Sequence, residues 1–469
     1  MPLLQTRHEQ SPSSRLLKLL FSSPIRLIVI SFAVVILIGT GLLMLPISSQ
    51  GAPTPFFMSL FTATSATCVT GLVMVDTASH FSSFGQGVIL MMIQVGGLGL
   101  ATITTFFFSI LSKSRSWRLL SIERETTSAD GSINPRELLS FIIRFTLILE
   151  TIGAVIFIWR FWPYYGQGAI WRGIFQSVSA FCNAGFDLFG TTAAPFVSLT
   201  SFNGDPIILL TTAFLIIAGG LGFIVWREIF SKNKSRSHMF HVKLVLSMTA
   251  IALISGMLFF WIVEASNDHA GALGLLPAWQ RPIAAFFQSV TTRTAGFNSI
   301  NQSTLTESSR VVSSLLMFIG ASPAGTGGGI KLTTFAVVMA VAMNGLKPEE
   351  KPRLGRHHLK RTVALRAVTI FFFALFLVVS ATLLISIIEQ HFRSSIDTSF
   401  VDNLFEVTSA FGTVGLTSVG TPKLHLTSQT ILIILMFIGR VGPASFAISL
   451  MKREHKPEVV RPEGNVIVG

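Results

Sequence analysis

Charge, cysteine and tyrosine are all scarce in this chain. Of its 469 residues only 12% are Asp, Glu, Lys or Arg, two are Cys and two are Tyr. So small a charged fraction, beside 50% hydrophobic residues and a mean hydropathy of +0.65, excludes a water-soluble globular protein of ordinary composition. Two cysteines cannot build a disulfide framework, which excludes a small stapled secreted fold. H-E-x-x-H, Walker and G-x-G-x-x-G motifs are missing, so neither an enzyme nor an organic cofactor is expected. Acids are the scarcer charge, 22 against 35 Lys plus Arg, giving net charge +13 and pI about 10.3. In a soluble protein that excess would suggest nucleic acid. In a chain this apolar, with 41 Phe rather than a polar aromatic platform, it points to basic cytoplasmic loops beside membrane lipid and to no nucleic-acid partner.

What is present is a series of long apolar runs, which predicts an all-α integral membrane protein. The run Leu27 to Pro46 has the ~20 residues a bilayer helix needs and lacks an A-x-A cleavage site, so it reads as a retained span. Further runs lie near 87–111, 138–160, 206–230, 244–264, 310–345, 364–389 and 428–450, eight in all. Basic residues segregate between them: segments 1–26, 112–136, 227–243, 346–366 and 451–469 hold 25 of the 35 Lys and Arg. The positive-inside bias puts these segments, and both termini, in the cytoplasm.

The outward segments repeat one another. They read FFMSLFTATSATCVTGL at 56–72, IWRGIFQSVSAFCNAGF at 170–186, IAAFFQSVTTRTAGF at 283–297 and FVDNLFEVTSAFGTVGL at 400–416. Each is a short amphipathic helix, too short to span, with a Ser/Thr-rich end followed by a residue pair, a Gly and a large apolar residue. The glycines are Gly71, Gly185, Gly296 and Gly415. The chain therefore divides into four tandem units of outer helix, re-entrant pore helix and inner helix (M1-P-M2), at 27–112, 113–231, 232–346 and 347–450, between a cytoplasmic segment 1–26 and a tail 451–469. Eight spans and four re-entrant helices, two spans per unit, give all units one orientation, so pseudo-fourfold symmetry about a single pore is expected. Non-helical backbone at membrane depth is tolerated where it lines a wet path. The trios Val69-Thr70-Gly71, Asn183-Ala184-Gly185, Thr294-Ala295-Gly296 and Thr413-Val414-Gly415 are the expected filter, its carbonyls replacing the hydration shell of a monovalent cation. A single such Gly could equally end a short helix; four at matched positions argue for a pore.

The run Arg310 to Gly345 would measure about 54 Å as one helix, well beyond a ~30 Å hydrocarbon core. Its break is visible in ASPAGTGGGIK at 321–331, where Pro323 and the glycines Gly325, Gly327, Gly328 and Gly329 cannot sustain a helix. A loop of small residues on the cytoplasmic side of the third filter segment is expected to plug the pore and swing aside, the alternative being a passive kink. Arg440, inside the last apolar run, is expected to face the pore, with a structural ion pair as the alternative. Lys331 is a weaker candidate of the same kind, Arg293 is expected to tie the third loop from behind, and Cys68 and Cys182 are expected to be there for their small size. Glu150 and Glu406 each require a buried partner; Asp76 and Asp187 stand at the outer mouth, either raising local cation concentration or simply solvated; His357 and His358 read as solvated.

These four filter segments, with GRVGP in the last helix, resemble the Trk/Ktr/HKT superfamily of potassium transporters, and most closely its KtrB branch, from about residue 20 to the C-terminus. The resemblance implies K⁺ held by backbone carbonyls of the filter trios, with Gly71 rather than Ser favouring K⁺ over Na⁺. It implies an intramembrane gating loop in the third unit and places Arg440 just below the filter beside that loop, as a brake on cations and a latch on loop carbonyls. It also implies a homodimer and a cytosolic ring of nucleotide-binding regulatory subunits of the RCK type (KtrA-like) in a prokaryotic plasma membrane, with Na⁺ as an activator left open.

Overall fold

The computed structural model describes residues 24–99, 135–231, 236–345, 352–355, 357–392, 397–442 and 446. The expected unit boundary at 112/113, most of the N-terminal segment and the whole 451–469 tail lie outside the described residues.

Fifteen helices account for about two thirds of the described residues. In order they are α1 (Pro24–Leu43), α2 (Phe56–Cys68), α3 (Thr77–His80), α4 (Ser83–Leu98), α5 (Pro135–Tyr165), α6 (Gly168–Phe181), α7 (Pro206–Gly220), α8 (Phe223–Phe230), α9 (Arg236–Glu264), α10 (Arg281–Thr291), α11 (Glu307–Phe318), α12 (Leu332–Gly345), α13 (Arg361–His391), α14 (Phe400–Gly412) and α15 (Leu426–Val441). A two-residue hairpin pairs Arg353–Leu354 with His357–His358. The order first helix, short helix, loop, second helix recurs four times. α1 packs along α2, α5 along α6, α9 along α10 and α13 along α14.

Burial runs inside-out relative to a soluble protein. The outer helices expose large apolar side chains, such as Leu37 on α1, Val155 on α5, Ile262 on α9 and Phe376 on α13. The Ser/Thr-rich short helices are enclosed instead, with Thr62, Thr64, Ser65, Ser177, Ser179, Ser289 and Ser409 all buried. A lipid surround rewards this arrangement, because apolar side chains cost nothing outward while polar groups find partners only inward. By length and composition α5, α9 and α13 can each cross a membrane alone.

The second helices are shorter because they break. The expected run 206–230 is two helices, α7 and α8, bent by 91°. The turn is made at Gly222, whose φ of 90° is open to glycine and strained for other residues. Gly99 closes α4 with φ 81° and Gly442 closes α15 with φ 92°. Aligned, the breaks read Gly96-Gly97-Leu98-Gly99, Gly219-Gly220-Leu221-Gly222 and Gly439-Arg440-Val441-Gly442. The first Gly of each packs on the end of its own short helix, where an added methyl would collide with the carbonyls of Thr67, Phe181 and Phe411. The run Gly96-Gly97-Leu98-Gly99 therefore serves both close packing and helix termination. In the third copy the chain leaves α11 at Phe318 and becomes helical again only at Leu332.

Candidate ion pathway

One to three residues past the last helical residue of each short helix stands a residue held left-handed: Val69 (φ 56°), Asn183 (φ 59°), Thr294 (φ 69°) and Thr413 (φ 51°). Such a φ costs a non-glycine residue about 1–2 kcal/mol, and more for a β-branched one, so it persists only where the surroundings hold it. Two residues later the glycines repeat the positive φ, at 92°, 71°, 80° and 96°. The middle residue of each trio is not among the positive-φ positions, so φ changes sign twice along it.

The four glycines meet in a closed ring. A methyl built on Gly71 would stand 2.6 Å from the Ala184 carbonyl oxygen, and one on Gly185 2.7 Å from that of Ala295. On Gly296 it would collide with the Val414 carbonyl, and on Gly415 with that of Thr70, returning to the first segment. All twelve residues of the sequence-predicted trios are thus brought together.

Alignment on the glycines conceals a difference between copies. Thr70, Ala184 and Val414 donate their amides to the carbonyls of Ser65, Ser179 and Ser409, five residues back, whereas Ala295 reaches Thr291, four back. The third segment is one residue short. The anchors also act in two ways: Ser65 and Ser409 hydroxyls accept the amides of Gly71 (3.0 Å) and Gly415 (3.1 Å), while those of Ser179 and Thr291 donate to the carbonyls of Phe186 (2.6 Å) and Phe297 (2.8 Å).

On one side of the ring lies a cavity of about 320 Å³, lined by the four glycines together with Asp76 and Asp187. Asp76 is not solvated: it is 8% exposed and accepts from the amides of Ser79 (2.9 Å) and, in the next copy, Phe196 (3.0 Å). Similar straps join the second copy to the third, Leu199 to the Asn298 carbonyl (2.9 Å), and the third to the fourth, Arg310 to Asp402. Asp187, in the loop beyond the second glycine, has its carboxyl pushed up to about 7 by burial, with the Phe189 amide opposing and the Asp76 charge adding to the shift. Two glutamines that sequence reasoning missed tie these loops down. Gln86 donates to the Phe81 carbonyl (3.0 Å) and Gln429 to that of Leu424 (2.9 Å), each four residues after the cap of its helix. That matched spacing is the signal that could have found them.

On the other side lies the segment between α11 and α12. Methyls on Gly327 and Gly328 would strike the hydroxyls of Thr294 and Thr413, so the segment sits directly against the third and fourth trios. The α7 break holds it: Ser322 and Thr326 donate to Gly220 (3.1 Å) and Gly219 (3.2 Å), and Phe223 donates to Ala324 (3.0 Å). Arg440 occupies the break position that is Gly97 in the first copy and Gly220 in the second. Its guanidinium donates to the carbonyls of Thr326, Gly96 and Gly97, and so bridges the segment to the α4 break. Lys331 turns back to the Gly327 carbonyl (2.7 Å) rather than away from the segment. Gly325 lies against the carbonyls of Gly219 and Gly220, and Gly329 takes φ 68°.

Other singled-out residues find partners. Arg293 donates to the Gly320 carbonyl (3.2 Å), Glu150 accepts from Gln94 (3.3 Å) beside the Cys182 thiol, and both cysteines are buried and free. His357 and His358 are exposed, and the His357 ring lies tilted by 38° against that of Phe240, 4.2 Å between centroids.

The fold and its enclosed loops define a multi-pass helical membrane protein of the ion-transport class. Residues 7–460 match the family model TrkH, described as a cation transport protein. The chain is 38% identical over 452 residues to the potassium/sodium uptake protein NtpJ of Enterococcus hirae, covering 95% of this chain and 97% of that one. It is 37% identical to the Ktr system potassium uptake protein B of Bacillus subtilis, with the same coverage, and 34% identical to that of Vibrio alginolyticus, covering 95% and 94%. The crystal structure of the potassium transporter TrkH from Vibrio parahaemolyticus shares the fold at TM-score 0.68 and 17% identity, covering 95% of this chain and 86% of that one. The chain belongs to the TrkH cation transport family, on its KtrB side within the Trk/Ktr superfamily. It is a transporter and not an enzyme.

Proposed function

We propose that this protein is the K⁺-selective translocating subunit of a prokaryotic potassium uptake system, passing K⁺ down its electrochemical gradient. The observation that carries the reading is the closed ring of Gly71, Gly185, Gly296 and Gly415, each backed against the carbonyl that precedes its neighbour in the cycle. In this reading four M1-P-M2 units surround one pore, and carbonyls of the trios at Val69, Asn183, Thr294 and Thr413 replace the hydration shell of K⁺. The uptake proteins of Bacillus and Vibrio, named for potassium, support the choice of ion.

The segment at 321–331, with Gly325, Gly327, Gly328, Gly329 and Lys331, is the gate, and Arg440 is its latch. Its contact with two trios and its bond to Arg440 support that assignment. The protein sits in the plasma membrane with both termini cytoplasmic, as a homodimer, and a cytosolic KtrA-like nucleotide-binding ring docks on its basic loops to pull the gate open. The word "system" in the names of the Ktr relatives supports a partner.

Rubidium uptake into proteoliposomes under an imposed potential tests the reading. Uptake by the chain alone or with the ring, blocked by K⁺ and not by Na⁺, is expected. Indifference to K⁺ overturns it. Gly296→Ser is expected to reduce K⁺ over Na⁺ discrimination by about tenfold, because the new side chain meets the Val414 carbonyl.

A further inference from the structure

The fourth short helix carries a fully buried carboxylate with no place in the passage described above. Glu406 is 0% exposed. Its Oε1 accepts the Thr417 hydroxyl and the Ser418 amide (3.2 Å), and its Oε2 accepts the Thr421 hydroxyl (3.2 Å). The Thr417 oxygen in turn accepts the Gly420 amide (2.8 Å). All of these donors belong to the stretch that begins two residues after Gly415. From the opposite side Gln429 of α15 donates to the Thr421 and Leu424 carbonyls at 3.2 and 2.9 Å.

The register set by the Ser/Thr anchors gives this carboxylate a place in the repeat. Three residues before Ser65, Ser179, Thr291 and Ser409 stand Thr62, Gln176, Gln288 and Glu406. Gln288 performs the neutral version of the task, exchanging hydrogen bonds with Gln302 at 2.8 and 2.9 Å, while Gln302 also holds the Ile300 carbonyl. The Thr62 hydroxyl and the Gln176 amide make no hydrogen bond among the described residues. Only the fourth copy uses a carboxyl group, whose two oxygens accept from three donors of one stretch at once.

We propose that Glu406 is a positioning residue that sets ion discrimination, its carboxylate fixing residues 417–421 and through them the distance of Gly415 from Gly71 and Gly296. A carbonyl ring that can contract by a few tenths of an ångström satisfies a smaller cation; a clamped one does not. The proposal rests on the reading of the four trios as the ion path, and its test separates the two.

The test is rubidium uptake by the full chain in liposomes, with K⁺ or Na⁺ as competitor. Glu406→Ala is expected to lower the K⁺ over Na⁺ competition ratio by about tenfold, since Thr417 and the buried Ser418 and Thr421 lose their acceptor. Glu406→Gln retains an acceptor oxygen and is expected to restore most of it. Thr417→Val is expected to shift the ratio in the same direction, and its combination with Glu406→Gln to do less than the product of the two, as residues in one network do. An unchanged ratio in folded Glu406→Ala overturns the proposal, even if its thermal midpoint falls. Should that variant fail to fold, an unchanged ratio in Thr417→Val overturns it. If Gly415→Ser also leaves the ratio unmoved, the ion-path reading itself fails.

Discussion

At the scale of the residue, the decisive fact about Arg440 is what it replaces. The first two breaks have Gly97 and Gly220 at that position, and the fourth puts a guanidinium there, so one side chain reaches both the 321–331 segment and the α4 break. Removing it deprives the segment of a charge-assisted bond and, in the proposed reading, the ion path of a neighbouring cation. Arg440→Ala is expected to raise partner-free rubidium flux by about tenfold, read in proteoliposomes. Asp187 supplies a titration. With its carboxyl pushed up to about 7, it is neutral below that pH and anionic above it. An added anion beside the outer cavity attracts cations, so uptake at low K⁺ is expected to rise by about threefold as external pH passes from 6 to 8. Asp187→Asn is expected to hold uptake at the low-pH level throughout; a pH response that survives in this variant belongs to another group.

At the scale of the element, the short helices and the breaks are two uses of the same chemistry. A helix end offers unpaired carbonyls, and the second helices of the first, second and fourth copies present a glycine to one of them, at Gly96, Gly219 and Gly439. The segment between α11 and α12 exploits the same close approach, since Gly327 and Gly328 fit only because they carry no side chain beneath Thr294 and Thr413. Deleting part of 324–329 is expected to raise flux without the partner, and Gly327→Ala to do so more modestly by forcing the segment away from Thr294. A fall in flux by well-folded protein in either case counts against a gate. The short helices also show why the chain reads as it does: a Ser or Thr near the end of each is needed twice, as a carbonyl acceptor and as a hydroxyl, so these apolar helices cannot be wholly apolar.

At the scale of the whole molecule, four loops joined rim to rim make a single shared object rather than four separate sites. Asp76 reaches the second copy, Asn298 joins the third to the second, and Arg310 joins the third to the fourth. A continuous path driven only by potential gains about 2.3 kcal/mol per charge per 100 mV, or about 50-fold accumulation. Rubidium accumulation in potential-clamped vesicles is expected to stop at that ratio with or without Na⁺; accumulation beyond it that requires Na⁺ identifies a symporter instead.

The sequence by itself determined the apolar helical class, the four short segments with their glycines, and the break at 321–331. Each of these is a local matter of run length, periodicity and residues that cannot be helical. The shortening of the third segment is legible as well, since FQSV at 175–178 ends seven residues before Gly185 and FQSV at 287–290 six before Gly296, although alignment on the glycines alone hides it and the bond from Ala295 four residues back makes it plain. The sequence did not distinguish a solvated Asp76 from a buried strap, or the bend within 206–230 from a straight span. Those depend on which backbone approaches which. Hydrogen bonds between copies more than a hundred residues apart carry no signal along the chain, and the tertiary structure alone decided them.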